Sequence, residues 1–186
     1  MRHVSLLGYA VLGLLHQEPR SGYDVRRIFA NTPMGTFSDS PGAIYPALQR
    51  LEKDGFVRSK LQSVSDLRRR RVYRPTPSGR RVFRAWQTKS ISSEDVIHRM
   101  DELLLRFSFM DQTAGQAAAV RFLRDLTREL RRYTPALRKY LKANARQMPL
   151  SGMLALESGA RSYEELLRWS KSSLSKYMRR KKGGRG

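Results

Sequence analysis

The chain has 186 residues, with 37 Lys and Arg against 16 Asp and Glu, a formal charge of +21. The excess sits in both halves: residues 1–89 hold 17 basic and 6 acidic side chains, and residues 90–186 hold 20 and 10. Such a balance predicts attraction to polyanions, and the lack of cysteine excludes disulfides, Cys-ligated zinc and thiol nucleophiles.

Met1, Arg2 and His3 precede an apolar run from Val4 to Leu15. No Ala-x-Ala cleavage site follows, and the run is too short to cross a bilayer. A buried first helix over 4–17 is the reading, with Leu7, Val11, Leu14 and Leu15 at helical spacing and Glu18-Pro19 as its end. Ser21 opens a second helix, and Asp24 three residues on makes a capping-box pair. Asn31-Thr32-Pro33 closes it, and 34–40 reads as a loop. Ser40-Pro41 starts a third helix that stops at Gly55. Pro46 removes an interior hydrogen bond, so a regular helix is expected only from about Ala43, or with a kinked first turn. Its apolar stripe is Ile44, Leu48 and Leu51, while Tyr45, Gln49, Arg50 and Lys53 lie away from it.

Two short strands follow, 56–61 and 71–75. In the first, Val57 and Leu61 share one face and Arg58 and Lys60 the other. Residues 63–70 read as a polar tip carrying Arg68, Arg69 and Arg70. Thr76-Pro77 caps a further helix with Val82, Phe83 and Trp86 as its apolar residues. Residues 87–95 lose periodicity, which places a domain boundary there.

The second half reads as helices. Met100 to Met110 is one short apolar stretch. Ala119, Leu123, Leu126, Leu130, Tyr133, Leu137 and Tyr140 form a heptad seam with alternating gaps of 4 and 3. Pro135 predicts a kink or a break in it. A final helix from about Ser162 carries Tyr163, Leu166, Leu167, Leu174 and Tyr177. Trp86 and Trp169 read as core aromatics. Residues 179–186 are basic and Gly-rich, and disorder is expected there.

Three helices, two strands and a helix in this order make a winged helix-turn-helix. Such a third helix buries one face and offers hydrogen-bond donors to a groove about as wide as itself. Gln49 suits adenine, Arg50 suits guanine or a phosphate, and Tyr45 suits a phosphate or sugar. The wing cations suit an adjacent phosphate strand or the minor groove. The candidate DNA-contacting set is Ser21, Tyr23, Ser40, Tyr45, Gln49, Arg50, Lys53, Arg58, Lys60, Arg68, Arg69, Arg70, Arg71 and Arg74.

The stretches Leu12-Gly13-Leu14-Leu15, Ser21-Gly22-Tyr23-Asp24 and residues 42–57 resemble the PadR family of bacterial transcriptional regulators. Residues 71–80 resemble that family's wing strand and following helix. The most diagnostic piece is Ile44-Tyr45-Pro46-x-Leu48-x-x-Leu51-Glu52-x-x-Gly55, in which the proline after the tyrosine is a family trait. The resemblance implies a dimer on a two-fold DNA operator, usually repressing, with the C-terminal helices as the dimer interface. It also leaves room for a small-molecule effector of unidentified chemistry. The chain departs from the family in the basicity of its second half.

The expected architecture is mainly α with a small two-stranded wing: an N-terminal winged helix-turn-helix at 1–89, a C-terminal helical dimerisation region at 96–178, and a disordered basic tail at 179–186. The seam and final helix supply the candidate dimerisation residues Leu123, Leu126, Leu130, Tyr133, Leu137, Leu166, Leu167 and Leu174. The competing reading of the seam is an intramolecular core. His3, His16 and His98 show no metal-ligand spacing, and no Gly-x-Ser-x-Gly elbow, Walker loop or His-Glu-x-x-His occurs. No enzyme, cofactor, metal or membrane partner is expected. The expected location is the cytoplasm, on the nucleoid. A non-specific nucleoid or RNA-associated protein is the alternative, although the aromatic stacking platforms of RNA-binding modules are missing.

Overall fold

The computed structural model describes residues 4–38, 40–65 and 68–183, and it divides into two compact units, 1–87 and 88–186. The apolar run after Met1–His3 forms helix α1, Leu6–Gln17. Ser5 caps it by accepting the Gly8 N–H at 3.1 Å. Because the helix is apolar nearly all round, it becomes the centre of the first unit: Ala10, Val11 and Leu12 have no exposed surface.

Strand β1 (Arg20–Ser21) leads into α2 (Gly22–Asn31). The Ser21–Asp24 capping box is fully formed: Asp24 N–H donates to Ser21 Oγ at 3.2 Å, and Ser21 N–H donates to Asp24 Oδ2 at 3.0 Å. A 3-10 helix occupies Pro33–Phe37, where a loop was expected. Thr32 nucleates it by accepting the Met34 N–H at 3.3 Å.

Helix α3 runs over Pro41–Lys53, starting earlier than Pro46 led us to expect. The N–H that Pro46 lacks would have served the Gly42 carbonyl. Both residues are exposed, so solvent can satisfy that carbonyl. Ile44, Leu48 and Leu51 are buried as their spacing predicted. Gly55, at φ 76°, reverses the chain after α3.

Strands β2 (Val57–Ser65) and β3 (Arg68–Pro75) pair antiparallel, and β1 pairs with the other edge of β3. The sheet therefore has three strands in the order β1-β3-β2, not the two expected. The third is the two-residue Arg20–Ser21, matched to Tyr73 and Val72. The hairpin is also longer than predicted. Arg69 pairs with Ser63 and Arg70 with Gln62, so both belong to a strand and not to a loop tip. Helix α4 (Pro77–Gln87) closes the unit. Its Trp86 ring stacks on Tyr9 of α1, with centroids 4.2 Å apart and planes 4° apart.

The second unit holds α5 (Ser93–His98), α6 (Met100–Ser108), α7 (Met110–Thr113), α8 (Gln116–Asn144) and α9 (Leu150–Gly183). Helix α5 occupies part of the segment read as aperiodic, and a second capping box, Ser92 with Asp95, starts it. Helix α8 continues through Pro135 without a break. The carbonyl deprived of its donor belongs to Arg131, on the exposed face. Helix α9 begins at Leu150 and not at Ser162. It extends to Gly183, so 179–183 are helical and not the disordered tail expected; residues 184–186 lie outside the described residues.

Helices α8 and α9 run antiparallel. Thr127 Oγ1 donates to Ser170 Oγ at 3.1 Å in the middle, and Gln116 donates to the Tyr177 carbonyl at 3.1 Å at one end. Arg138 pairs with Glu164 towards the other. The Tyr163 hydroxyl donates to the Val96 carbonyl at 3.1 Å and so ties α9 to α5. Leu126 and Leu130 join Val96, Leu103, Met110 and Phe122 in one apolar cluster, with Leu166, Leu167 and Trp169 packed against it. Fully burying Leu126 or Leu130 is worth about 1.5–3 kcal/mol each.

Candidate nucleic-acid interface

The capping box, α3 and the wing converge on one groove. Its volume is about 510 Å³, and its walls include Ser21 of β1, Gly22 to Asp24 of α2, Tyr45 of α3, and Arg70, Arg71 and Tyr73 of β3. Gly22 makes the convergence sterically feasible. A Cβ there would lie 2.5 Å from Tyr45 Cε1, so only glycine lets that ring rest against the first turn of α2.

On α3, the buried stripe turns Tyr45, Gln49, Arg50 and Lys53 to the exposed side. Ser40 caps the helix, accepting the Gly42 N–H at 3.2 Å. Arg69, Arg70, Arg71 and Arg74 of β3 and Arg58 and Lys60 of β2 are all exposed. The Arg68 side chain lies outside the described residues, as do both residues between the strands. Tyr23 is exposed at the mouth of the groove, with the Arg26 guanidinium 6.0 Å from its ring centroid.

Two acidic residues fix the cations in place. Arg70 comes within 3.7 Å of Asp24, and Arg71 within 3.7 Å of Glu52. Burial alone would push the Asp24 carboxyl up. The hydrogen bonds from the Ser21 hydroxyl and N–H, with Arg70 and Arg27 nearby, more than offset this and hold it below the usual carboxylate range.

Among the DNA-contacting candidates, Ser21 differs in its surroundings. It is 5% exposed, and its hydroxyl is committed to Asp24 at 2.7 Å. Its role is to position α2. Glu52 is the residue that sequence reasoning missed. Its Oε1 accepts both the N–H and the hydroxyl of Ser59, at 2.9 and 2.6 Å, and so joins α3 to the wing. The signal was the glutamate inside the Leu51-Glu52-x-x-Gly55 motif.

The candidate dimerisation residues divide. Leu123, Leu126 and Leu130 have no exposed surface within a single chain, and Leu126 and Leu130 pack in the cluster that α5–α7 and α9 share with α8. They cannot form an outward seam. Tyr133, Leu137, Leu166, Leu167 and Leu174 are half-buried, and the Tyr133 ring packs edge-on against Tyr163 at 4.7 Å. The exposed large apolar residues of this unit include Leu150 and Leu154, 69% and 51% exposed and one turn apart on α9.

Among the described residues, no group of three or more His, Asp or Glu could hold a metal ion, and no helix is long and apolar enough to cross a membrane.

The sequence pattern of the transcriptional regulator PadR-like family matches residues 11–85. The negative transcriptional regulator PadR of Bacillus subtilis (strain 168) is 26% identical over 146 residues, 78% of this chain and 79% of that protein. The transcriptional regulator Rv3488 of Mycobacterium tuberculosis is 61% identical over 41 residues, which span 22% of this chain and 37% of that protein. The crystal structure of Bacillus subtilis PadR in complex with operator DNA is 21% identical, covers 93% of this chain and 99% of its own, and has a TM-score of 0.42. The match runs from the core of α1, through the capped α2, the exposed face of α3 and the basic hairpin, into α4: the first unit carries the pattern of the PadR-like family of transcriptional regulators and is a DNA-binding winged helix of that kind.

Proposed function

We propose that the chain is a repressor that binds a two-fold operator in duplex DNA as a dimer. The observation that carries this is the row Tyr45, Gln49, Arg50 and Lys53, which is exposed on α3 beside the cationic edge of β3. In this reading α3 enters the major groove. Gln49 pairs with adenine, Arg50 with guanine, and Lys53 with a phosphate. Arg69, Arg70 and Arg71 reach the neighbouring phosphates or the minor groove.

The Bacillus subtilis relative is a negative transcriptional regulator, which supports repression. Dimerisation runs through the second unit, at the exposed start of α9 where Leu150 and Leu154 lie, since an unpaired apolar patch of this kind favours association.

A titration against the promoter upstream of the protein's own gene tests the reading, with a scrambled duplex as control at two salt concentrations. A preference of about a thousandfold or more for the promoter marks a specific regulator. Equal affinities that fall together as salt rises would mark a general nucleic-acid binder.

A further inference from the structure

We infer that the second unit carries its own duplex-DNA-binding surface, a stripe of cations without acidic partners along the outer face of α8 that grips phosphates independently of the wing. The inference rests on the DNA-binding reading above.

The stripe follows from helix geometry. Helix α8 contains eight Lys or Arg and two acidic residues. Its apolar residues Ala119, Leu123, Leu126 and Leu130 are consumed by the core, so the basic residues take the opposite face. At about 100° per residue, Arg121, Arg124, Arg131, Lys139 and Lys142 fall within an arc of about 80°. All five are exposed. The acidic neighbours are spent on other arginines: Asp125 and Glu129 hold Arg128 at 2.7 and 3.0 Å, Glu129 lies 3.7 Å from Arg132, and Glu164 pairs with Arg138. Among the described residues, none of the five stripe cations has an acidic partner.

The dimensions and chemistry favour duplex DNA. Arg121 to Lys142 spans about 32 Å of helix, close to the roughly 34 Å of one duplex turn. No aromatic ring lies on the arc to stack an unpaired base. A membrane-surface helix needs a free apolar face, and that of α8 is already buried. A second copy of the same stripe would repel this one, so the stripe cannot serve as a self-complementary dimer contact.

The test uses the full chain and a long duplex of scrambled sequence, with affinity followed against salt. One variant removes the reading face (Arg50→Ala, Lys53→Ala, Arg70→Ala, Arg71→Ala). A second adds Gln at all five stripe positions. A third keeps charge there (Arg121→Lys, Arg124→Lys, Arg131→Lys). We expect the first variant to retain salt-sensitive binding. The Gln changes should flatten the slope of log affinity against log salt by about 4.5, from roughly 0.9 per phosphate contact, and weaken binding at least tenfold. The Lys variant should bind as its parent does.

An unchanged slope on adding the Gln changes overturns the inference. So does equal loss in the Lys variant, which would mark a structural effect and not a charge effect. Polyglutamate that displaces the scrambled duplex at equal charge concentration would overturn it in favour of an acidic protein. Failure of the operator reading is visible separately, as reading-face changes that leave promoter preference intact.

Discussion

Glu52 accepts two hydrogen bonds from Ser59, one from its backbone N–H and one from its hydroxyl, both on the same carboxylate oxygen. The last turn of the reading helix is thereby locked to the first strand of the wing. Glu52→Ala leaves a half-buried N–H without its acceptor and releases Arg71. We expect a stability loss of about 1–3 kcal/mol, measured by urea denaturation, and weaker DNA binding beyond what unfolding explains. A variant with unchanged stability and affinity would show that the wing is held by strand pairing alone.

Gly22→Ala tests the groove. The new methyl would meet the Tyr45 ring, which must swing away from α2. Tyr45 is on the exposed side of α3 and can move, but buried Leu48, whose Cδ1 would lie 3.3 Å from the methyl, must also give, so we expect a small stability loss beside weaker DNA binding. The discriminating result is an affinity loss that Tyr45→Ala does not deepen further, as a double-mutant cycle would show.

Arg50→Ala separates base reading from phosphate reading. We expect a loss of about 1–3 kcal/mol at the operator and little on scrambled DNA. Equal losses on both would reassign Arg50 to a phosphate, with a salt slope shallower by about 1.

Acid should destabilise the chain in two windows. Burial lowers the His16 pKa from 6.5, with Arg80 adding to this against the Leu12 carbonyl bond. The folded state therefore holds His16 neutral, and its contribution is complete above pH 6.5 and declines as pH falls below it. Burial pushes Asp95 up, but the Ser92 hydrogen bonds with Lys89 and Arg99 bring it below 3.8 overall. Its contribution is complete above that value and is lost as pH falls through the depressed folded pKa. Chemical denaturation against pH should show the upper window vanish in His16→Phe and the lower one shrink in Asp95→Asn.

The seam and the exposed start of α9 predict opposite phenotypes. Leu126→Ala opens a cavity inside one chain and should cost about 2–5 kcal/mol without changing assembly directly. Leu150→Glu with Leu154→Glu should leave the fold intact and yield monomers by light scattering. A double variant that still runs as a dimer would falsify the α9 assignment.

What the sequence made legible was local. The Ser21–Asp24 box, the Ile44, Leu48 and Leu51 stripe and the stop at Gly55 each depend on residues within one or two turns. Strand β1 was not legible, because two residues carry no alternation and their pairing lies with Tyr73 and Val72, some fifty positions on. Arg69 and Arg70 looked like a loop because a run of arginines shows no period. The backbone pairs regardless of side chain. The seam's period held over Ala119, Leu126, Leu130 and Tyr133, against which α9 packs within the chain, while Tyr140 at its end is exposed; period alone does not name a partner. The Ser92–Asp95 box was a local signal overlooked inside a polar stretch.

The aromatic stack that ties α4 to α1 has a spectroscopic consequence. The chain has two tryptophans, and they fall in different units. Trp86 lies face to face with Tyr9, while Trp169 meets Phe107 edge-on at 5.6 Å. Trp86→Phe would leave an indole that emits only from the helical unit, and Trp169→Phe one that emits only from the DNA-binding unit. The molecule thus contains a separate optical reporter for each half, and the melting of one can be followed while the other is held by DNA.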